Sequence, residues 1–204
     1  MDTSEAQSPR PSPAVTNKPP EHTHDGEHWK YRPPYQIHDP REFGPVKWRA
    51  RCECGKVSYM LKSERPLDAK YCHCRGCQVM HGAPFQWAAI FHKEDISFTN
   101  GASGLAFYSS SHNSQEYQLP TKVSCAFCHS PIMDEGRNVC LLFPELIDLT
   151  GSGDEKRRQL EGFKPTCHIF YEQRMLDLED GLPKWSGMDK SSDLLDGRGR
   201  KLQQ

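Results

Sequence analysis

The chain has 204 residues, enough for one ordinary domain with tails but short for two full domains. Its formal net charge is −1, so no global positive field attracts nucleic acid, and no nucleic-acid partner is expected. The sequence has no run of about 18 apolar residues, and its first thirty residues lack the apolar segment of a signal peptide. We therefore expect a soluble, cytoplasmic protein with no membrane association.

Residues 1–45 are predicted to form a disordered, proline-rich arm. They hold about half of the 16 prolines, mixed with Ser, Glu and His. Such a composition buries too little apolar surface to offset the entropy of ordering. His22, His24 and His28 cluster in this arm, but a solvated polar tail is the preferred interpretation. The arm could also serve as a recognition segment for a protein partner.

Residues 46–185 are predicted to fold as one mainly β domain. Order is expected to begin near residues 46–51, just before a turn at Cys52-Glu53-Cys54-Gly55. Short strand-like runs then recur with turn residues between them, at residues 56–61, 86–91, 96–99, 105–108, 117–124, 139–143 and 166–171. Their regular spacing, with little helix between them, predicts antiparallel sheets.

Three other segments complete the predicted organisation. A short helix is expected at residues 75–80, where Gly82 and Pro84 would end it. Residues 151–164 are charged and contain glycine, which predicts an exposed loop. Residues 186–204 are predicted to be a polar, disordered C-terminal tail.

The nine cysteines are the strongest chemical signal in the sequence. In a reducing compartment, clustered thiols indicate metal binding or catalysis more often than disulfides. Seven of the nine fall into three short groups, which are Cys52/Cys54, Cys72/Cys74/Cys77 and Cys125/Cys128.

Two of these groups together predict a closed, structural zinc site. Cys125-x-x-Cys128 has the spacing at which one turn directs two thiolates at a tetrahedral ion. Cys52 and Cys54 supply a second pair, since residues i and i+2 of an extended segment point to the same side. Structural zinc contributes on the order of 10 kcal/mol to folding, so the site would hold two distant segments together.

The third group predicts a zinc site of a different kind. Cys72, Cys74 and Cys77 supply three thiolates from one loop and the start of one helix. Three protein ligands with one open position are the usual form of a catalytic zinc centre. Three thiolates make the unit negative and weaken its Lewis acidity, which favours activation of a substrate thiol over production of hydroxide.

A zinc deaminase is the competing interpretation of these residues. His92-Lys93-Glu94 followed by Cys125-x-x-Cys128 imitates the deaminase signature. However, Ser124 stands where that signature has proline, and the assignment leaves five clustered cysteines unused. The deaminase is therefore the weaker hypothesis.

The cysteine spacing resembles that of the glutathione-dependent formaldehyde-activating enzyme and centromere protein V family. The segments His168-Ile169-Phe170 and Leu178-Glu179-Asp180-Gly181-Leu182-Pro183 are similar to that family's terminal signature. The resemblance covers roughly residues 46–185.

The resemblance implies a tent-like, antiparallel β fold that binds two zinc ions. It places Cys52, Cys54, Cys125 and Cys128 on a structural zinc. It places the other group, Cys72, Cys74 and Cys77, on a catalytic zinc. It also implies a carbon-sulfur lyase activity that joins glutathione to formaldehyde, or the reverse reaction. A long proline-rich arm, the 151–164 segment and Arg75-Gly76 depart from the better-known enzymes.

The remaining candidate residues have more than one interpretation. Cys140 lies in an apolar run and Cys167 in a strand, so both are predicted to be packed thiols. His168 could orient substrate, bind a zinc-bound thiolate through a hydrogen bond, or be purely structural. His73 and His81 are weaker candidates for a fourth ligand or a proton carrier. Arg75 could pair with a substrate carboxylate.

Two further functions stay open beside the thiol-dependent enzyme. One is a non-catalytic zinc module that binds another protein, in which a fourth protein ligand would close the second site. The other keeps the enzyme fold but acts on a different small metabolite.

Overall fold

The computed structural model describes residues 26–203. The first 25 residues of the predicted arm, with His22 and His24, therefore lie outside the described residues, as does Gln204. In the described part, the α-helices are α1 (Pro40–Phe43), α2 (Arg75–His81) and α3 (Gly153–Gln159). The strands are β1 (Trp48–Arg51), β2 (Ser58–Leu61), β3 (Asp68–Cys72), β4 (Gln86–His92), β5 (Ile96–Phe98), β6 (Leu105–Tyr108), β7 (Thr121–Cys125), β8 (Pro131–Glu135), β9 (Val139–Leu142), β10 (Cys167–Ile169), β11 (Lys184–Trp185) and β12 (Leu194–Leu195).

The strands form two sheets, as expected for a mainly β protein. The small sheet has the order β1-β2-β5, and the large sheet has the order β12-β11-β10-β3-β4-β9-β8-β7-β6. Most neighbouring strands are antiparallel, which confirms the predicted fold class. The exception is β10, which pairs in parallel with both β3 and β11.

The main hydrophobic core contains buried residues from both sheets. Alternation along each strand explains its composition, because every second side chain points the same way. In β4, for example, Ala89 and Phe91 are fully buried, and in β7 Val123 is buried between less buried neighbours. Tyr59 and Leu61 of β2 reach the same cluster. Burial of such side chains contributes about 25 cal/mol per Å² of apolar area.

The ordered structure extends on the N-terminal side of the predicted boundary at residue 45. Tyr35 is buried, and its hydroxyl donates a 2.7 Å hydrogen bond to the buried carboxylate of Glu135. The ring of Trp29 stacks on Tyr117 with the ring centroids 4.0 Å apart. Residues 26–45 therefore belong to the packed domain, because long-range partners that composition does not reveal hold them there.

The ordered structure also extends past residue 185. Strand β12 pairs with β11, and Leu195 is buried. The Asp189 carboxylate lies 2.6 Å from the ammonium of Lys70 in β3. Residues 186–203, predicted as a tail, thus complete one edge of the large sheet.

The segment 151–164 forms helices, although an exposed loop was predicted. Ser152 and Glu155 form a capping box at the start of α3, in which each side chain bonds the backbone N–H of the other residue. A short 3-10 helix, Leu160–Phe163, follows and buries Phe163. The prediction of an exposed loop was wrong because it was based on charge and glycine content. It overlooked the Ser152–Glu155 capping box and the anchoring Phe163.

Candidate metal centres

The four-cysteine group comprises Cys52, Cys54, Cys125 and Cys128, whose sulfur atoms all lie within 4.8 Å of one another. Individual separations are 3.5 Å between Cys52 and Cys54 and 3.8 Å between Cys54 and Cys125. Zinc–sulfur bonds of about 2.3 Å at tetrahedral angles require sulfur separations of about 3.8 Å. The group therefore fits one tetrahedral metal ion.

Two turns position these sulfurs. The first follows β1, where Gly55 adopts φ +73°, a conformation that glycine tolerates best. The second joins β7 to β8, and there His129 holds φ +60°. The backbone N–H groups of Val57 and Phe127 point at Cys52 and Cys125, at 3.3 and 3.4 Å. Such N–H donors stabilise thiolates, which are the metal-binding form of cysteine.

The three-cysteine group comprises Cys72, Cys74 and Cys77, whose sulfur atoms also lie within 4.8 Å of one another. Cys72 ends β3, and Cys74 is the N-cap of α2, accepting a 3.4 Å hydrogen bond from the Cys77 N–H. Gly82 ends the helix in the left-handed conformation at φ +58°. Within residues 26–203, no other Cys, His, Asp or Glu completes this group to four.

Hydrogen bonds within the three-cysteine group distribute its protons unevenly. Sulfur–hydrogen donors on Cys72 and Cys77 lower the pKa of Cys74, whereas hydrogen bonding with Cys72 and Cys74 raises the pKa of Cys77. The three thiols therefore influence one another's ionisation, and the hydrogen bonds favour the thiolate form at Cys74. A metal ion would replace these shared protons, since bound thiols are deprotonated.

A chain of hydrogen-bonded side chains that begins with two buried histidines supports the three-cysteine loop. His73 Nε2 lies 2.8 Å from His168 Nδ1, and His168 Nε2 lies 2.7 Å from a carboxylate oxygen of Asp180. Burial lowers the pKa of both histidines, so both are neutral at pH 7. His168 must then donate to Asp180 and accept from His73. Lys184 contributes a 2.6 Å ion pair to the other oxygen of Asp180.

Gln78 anchors the same loop from α2. Its buried side-chain amide donates 2.8 Å hydrogen bonds to the carbonyl oxygens of His73 and Gln173. The Gln173 side chain in turn accepts from the Arg75 N–H at 2.8 Å. The loop geometry is thus fixed by residues far away in sequence.

Strand register places several polar side chains on the sheet face that carries Cys72. Directly opposed residues of an antiparallel pair share a face. Cys72 is opposite Gln86, so the two side chains lie on the same face. Across the next strands, Ile90 is opposite Leu141, Leu141 is opposite Asp134, and Asp134 is opposite Lys122. The face therefore presents an amide and an ion pair beside the three-cysteine group.

The Lys122 ammonium lies close enough to the three-cysteine group for the charge of Cys77 to affect the pKa of Lys122. It forms a 2.7 Å ion pair with Asp134. Burial alone would lower its pKa, but the charges of Asp134 and Cys77 outweigh burial and raise the pKa. Lys122 thus stays protonated and offsets part of the negative charge of three thiolates.

A cavity of about 340 Å³ is lined by Gln86, the residue opposite Cys72 in the β3–β4 pair. Aromatic side chains of Phe85, Trp87 and Phe143 line it, together with His81, Gln86 and Glu145. A second, smaller cavity of about 260 Å³ shares His81 with the first and is lined also by Lys122, Asp134 and His129. Small-molecule sites of about this size are typical of enzymes.

The sequence and the site now allow comparison with known proteins. The family model described as "glutathione-dependent formaldehyde-activating enzyme" matches residues 47–173. The chain belongs to this family. Membership in the glutathione-dependent formaldehyde-activating enzyme family connects it with formaldehyde activation and with glutathione.

Other comparisons add little to that assignment. A crystal structure of a Rhodobacter sphaeroides protein from a structural genomics effort is 18% identical, with a TM-score of 0.40, and the match covers 52% of this chain and 93% of that one. No curated protein matches the sequence. None of the helices in residues 26–203 has the length and hydropathy needed to cross a bilayer.

The structure brings together the residues that cysteine spacing predicted as two groups. Cys140 is buried in the main core, and Cys167 packs near Cys72 without joining its group. None of the nine cysteines, all of which lie in the described part, forms a disulfide. His73 and His168 are both buried and hydrogen-bonded to each other, whereas the Arg75 side chain is exposed.

Sequence reasoning missed Gln86, Lys122 and Asp134. Each lies in a strand and would be assigned to a solvated face by alternation alone. Alternation gives a signal for Lys122, which lies between the buried Thr121 and Val123, but none for Asp134, whose strand was not predicted. Their placement on one sheet face depends on the strand register, which the sequence does not specify.

Proposed function

We propose that this chain is a zinc-dependent enzyme of the carbon-sulfur lyase type that acts on a thiol adduct of a small aldehyde. The reaction joins glutathione and formaldehyde to S-hydroxymethylglutathione, or is a closely related one. Two zinc ions per chain are part of the proposal. The four-cysteine group would hold a structural ion, and Cys72, Cys74 and Cys77 would hold the catalytic one.

One observation carries the proposal. Three sulfur atoms within 4.8 Å of one another lack a fourth protein ligand in residues 26–203, and two cavities adjoin their side of the sheet. A three-ligand zinc with room for substrate has the composition of a catalytic centre. When bound there, zinc would hold a substrate thiol in its thiolate form at neutral pH.

The chain's own residues account for the remaining requirements. In the forward reaction the thiolate lone pair forms the carbon–sulfur bond, and the carbonyl π electrons move to oxygen, which takes a proton from water. The Lys122 ammonium, paired with Asp134, attracts the anionic thiol and lowers the net charge of the site. The His73–His168–Asp180 chain would keep the cysteine loop in place, because both histidine rings are buried and hydrogen-bonded.

The proposal is tested by NMR with purified, zinc-loaded protein. Glutathione and ¹³C-formaldehyde are mixed at a pH at which the uncatalysed reaction is slow, and exchange between free and adduct carbon is measured. We expect wild type to accelerate the exchange and Cys74→Ala to abolish the acceleration while binding one zinc instead of two. Cys140→Ala, which alters a cysteine outside both groups, should keep both the rate and two zinc ions.

Unchanged exchange in Cys74→Ala would contradict the assignment. X-ray absorption at the zinc edge provides an independent test, because it identifies the ligand atoms of the bound zinc ions. A light-atom ligand at one of the two ions supports an open site. A closed site of sulfur and imidazole only would support a non-catalytic zinc module that binds another protein.

The proposed location is the cytoplasm, where glutathione is abundant and thiols stay reduced. Fluorescence imaging of the tagged full chain tests it. Accumulation of the protein in an oxidising compartment would contradict this part of the proposal.

A further inference from the structure

One residue that lines the larger cavity has a buried side-chain amide without a hydrogen-bond partner among the described residues. Gln86 is 4% exposed, yet neither its side-chain oxygen nor its side-chain nitrogen has a hydrogen-bond partner. Leaving such a group unpaired costs about 1–3 kcal/mol. Because Gln86 lines the cavity, a turn of its side-chain amide toward a ligand there would supply the missing partners and remove this cost.

The position of Gln86 connects the cavity with the three-cysteine group. Gln86 and Cys72 are directly opposed in the β3–β4 pair, which brings the β-carbons of the two residues to within about 5.5 Å on the same face. His81 and Phe143, whose rings contact each other at 4.8 Å, form the neighbouring wall. A group attached to the sulfur of a thiol bound at the three-cysteine group would therefore extend toward Gln86 and the cavity that it lines.

The chemistry of the lining selects the kind of group that fits. A side-chain amide offers both a donor and an acceptor, so a carboxylate, which only accepts, would leave the Gln86 oxygen unpaired. Among the described residues that line the cavity, Glu145 is the one carboxylate, and there is no lysine or arginine. Burial lowers the pKa of His81, which disfavours a positive charge on its ring. An anionic group is thus disfavoured, whereas aromatic walls favour an apolar one.

The volume argues against formaldehyde as the only occupant. Formaldehyde has one carbon and one oxygen, and its adduct places a single hydroxymethyl group on sulfur. A cavity of about 340 Å³ has room for a ring or a branched chain in addition. An adduct hydroxyl both donates and accepts, which matches the two unpaired atoms of Gln86.

We infer that the cavity binds an uncharged, apolar substituent of the aldehyde, with Gln86 hydrogen-bonded to the oxygen on the reacting carbon. This inference rests on the proposed function and extends it from formaldehyde to larger aldehydes, aromatic or branched. Glutathione's carboxylates would lie outside this cavity. Gln86 becomes a specificity residue that touches the substrate.

Three stable small molecules can test the inference by their binding alone, in the absence of any thiol or aldehyde substrate. Benzamide presents a donor and an acceptor on an apolar ring, benzoate replaces the donor by a negative charge, and formamide lacks the ring. Binding to zinc-loaded protein is followed by NMR through the indole N–H of Trp87, which donates to the Phe163 carbonyl at 2.9 Å. We expect benzamide to bind at least about tenfold more tightly than either benzoate or formamide.

Two variants locate the binding. Gln86→Met keeps the side-chain length but removes the amide, and should weaken benzamide at least about tenfold. Ala83→Phe fills the cavity, which Ala83 lines, and should prevent binding of the ring. Gln159→Met, on α3 and outside the lining, should bind benzamide as wild type does. The zinc content of each variant shows that it is folded.

The outcomes separate this inference from the proposed function. Equal binding of benzamide by wild type and Gln86→Met, or tighter binding of benzoate, would overturn the inference even if adduct formation with formaldehyde is catalysed. Selective benzamide binding without any catalysed exchange would instead refute the proposed function and leave a cavity specific for uncharged amides. Selective binding together with a higher kcat/KM for benzaldehyde than for formaldehyde supports both.

Discussion

The four-cysteine and three-cysteine groups offer similar ligands but differ in what they connect. Cys54 and Cys125 lie 71 residues apart in the sequence, so an ion held there would join the end of the small sheet to a turn of the large one. Cys72, Cys74 and Cys77 come from one loop and the first turn of α2. Closing a long loop restricts the unfolded chain more than closing a short one. An ion in the first group would therefore stabilise the fold more than an ion in the second group.

Their surroundings differ in the same sense. Cys52 and Cys125 belong to the main hydrophobic core, whereas Cys72 and Cys77 form a separate small cluster with Cys167 and Ile169. The second group has a buried amide and the Lys122–Asp134 ion pair on its sheet face. The same ligand type is therefore placed in two different environments.

The largest expected effect comes from Cys125→Ala. Loss of a structural zinc removes on the order of 10 kcal/mol, comparable with the whole stability of a domain. We expect a largely unfolded protein at 25 °C by circular dichroism. Cys140→Ala, a buried cysteine outside both groups, should cost about 1 kcal/mol. A Cys125→Ala variant that unfolds cooperatively near the wild-type Tm would remove the distinction between the two groups.

Cys74→Ala should have a smaller effect on stability and a larger one on chemistry. We expect one zinc ion per chain, a loss of about 3 kcal/mol in the free energy of unfolding because only a short loop is released, and no catalysed adduct formation. Urea denaturation and metal analysis measure the first two quantities. Global unfolding of this variant would show that the three-cysteine group also holds the fold together.

Gln78→Leu tests the support of the three-cysteine loop. Two carbonyl oxygens lose their donor, and we expect a loss of about 2 kcal/mol together with faster release of one zinc to a chelator. Gln159→Leu is the matched control, since its amide also donates to two carbonyls but is exposed to solvent. The control should lose less than about 0.5 kcal/mol. Equal zinc release by both variants would contradict this role for Gln78.

Ser130→Ala should have the smallest effect and act on the other group. The Ser130 hydroxyl lies 3.2 Å from the Cys128 sulfur and accepts from the Glu53 N–H at 3.2 Å, which links the two halves of the four-cysteine group. We expect a loss of about 1 kcal/mol and no change in adduct formation. Ser191→Ala, at an exposed turn, is the control for urea denaturation. A change in adduct formation in Ser130→Ala would mean that the two groups are coupled.

Cysteine spacing predicted the two groups because their ligands come from tight turns, which are local. The mainly β fold also follows from the sequence, because alternation and turn residues are local signals. The strands that were not predicted are β1, β3, β8, β11 and β12. In β3 a buried Lys70 interrupts the apolar pattern, and its charge is neutralised by Asp68 of the same strand and by the distant Asp189. In β8 the initial Pro131 and two acidic residues hide a buried strand.

The supporting residues of the site could not be predicted for the same reason. His168 was ambiguous until its contact with His73, 95 residues away, became visible. Gln86 carried no signal, since a glutamine at the start of a strand usually faces water. What singles it out is the absence of partners around a buried amide, a property of the folded chain alone.

The parallel pairing of β10 between β3 and β11 has a practical consequence for dividing the protein. The three-cysteine loop leaves β3, and on one side β3 is bordered by β10, β11 and β12, which come almost last in the chain. A shortened form that stops at residue 185 would strip Lys70 of its Asp189 partner and uncover β11 for pairing with a neighbouring molecule. Such a form invites aggregation next to the cysteines, so expression vectors should carry the complete C-terminal stretch.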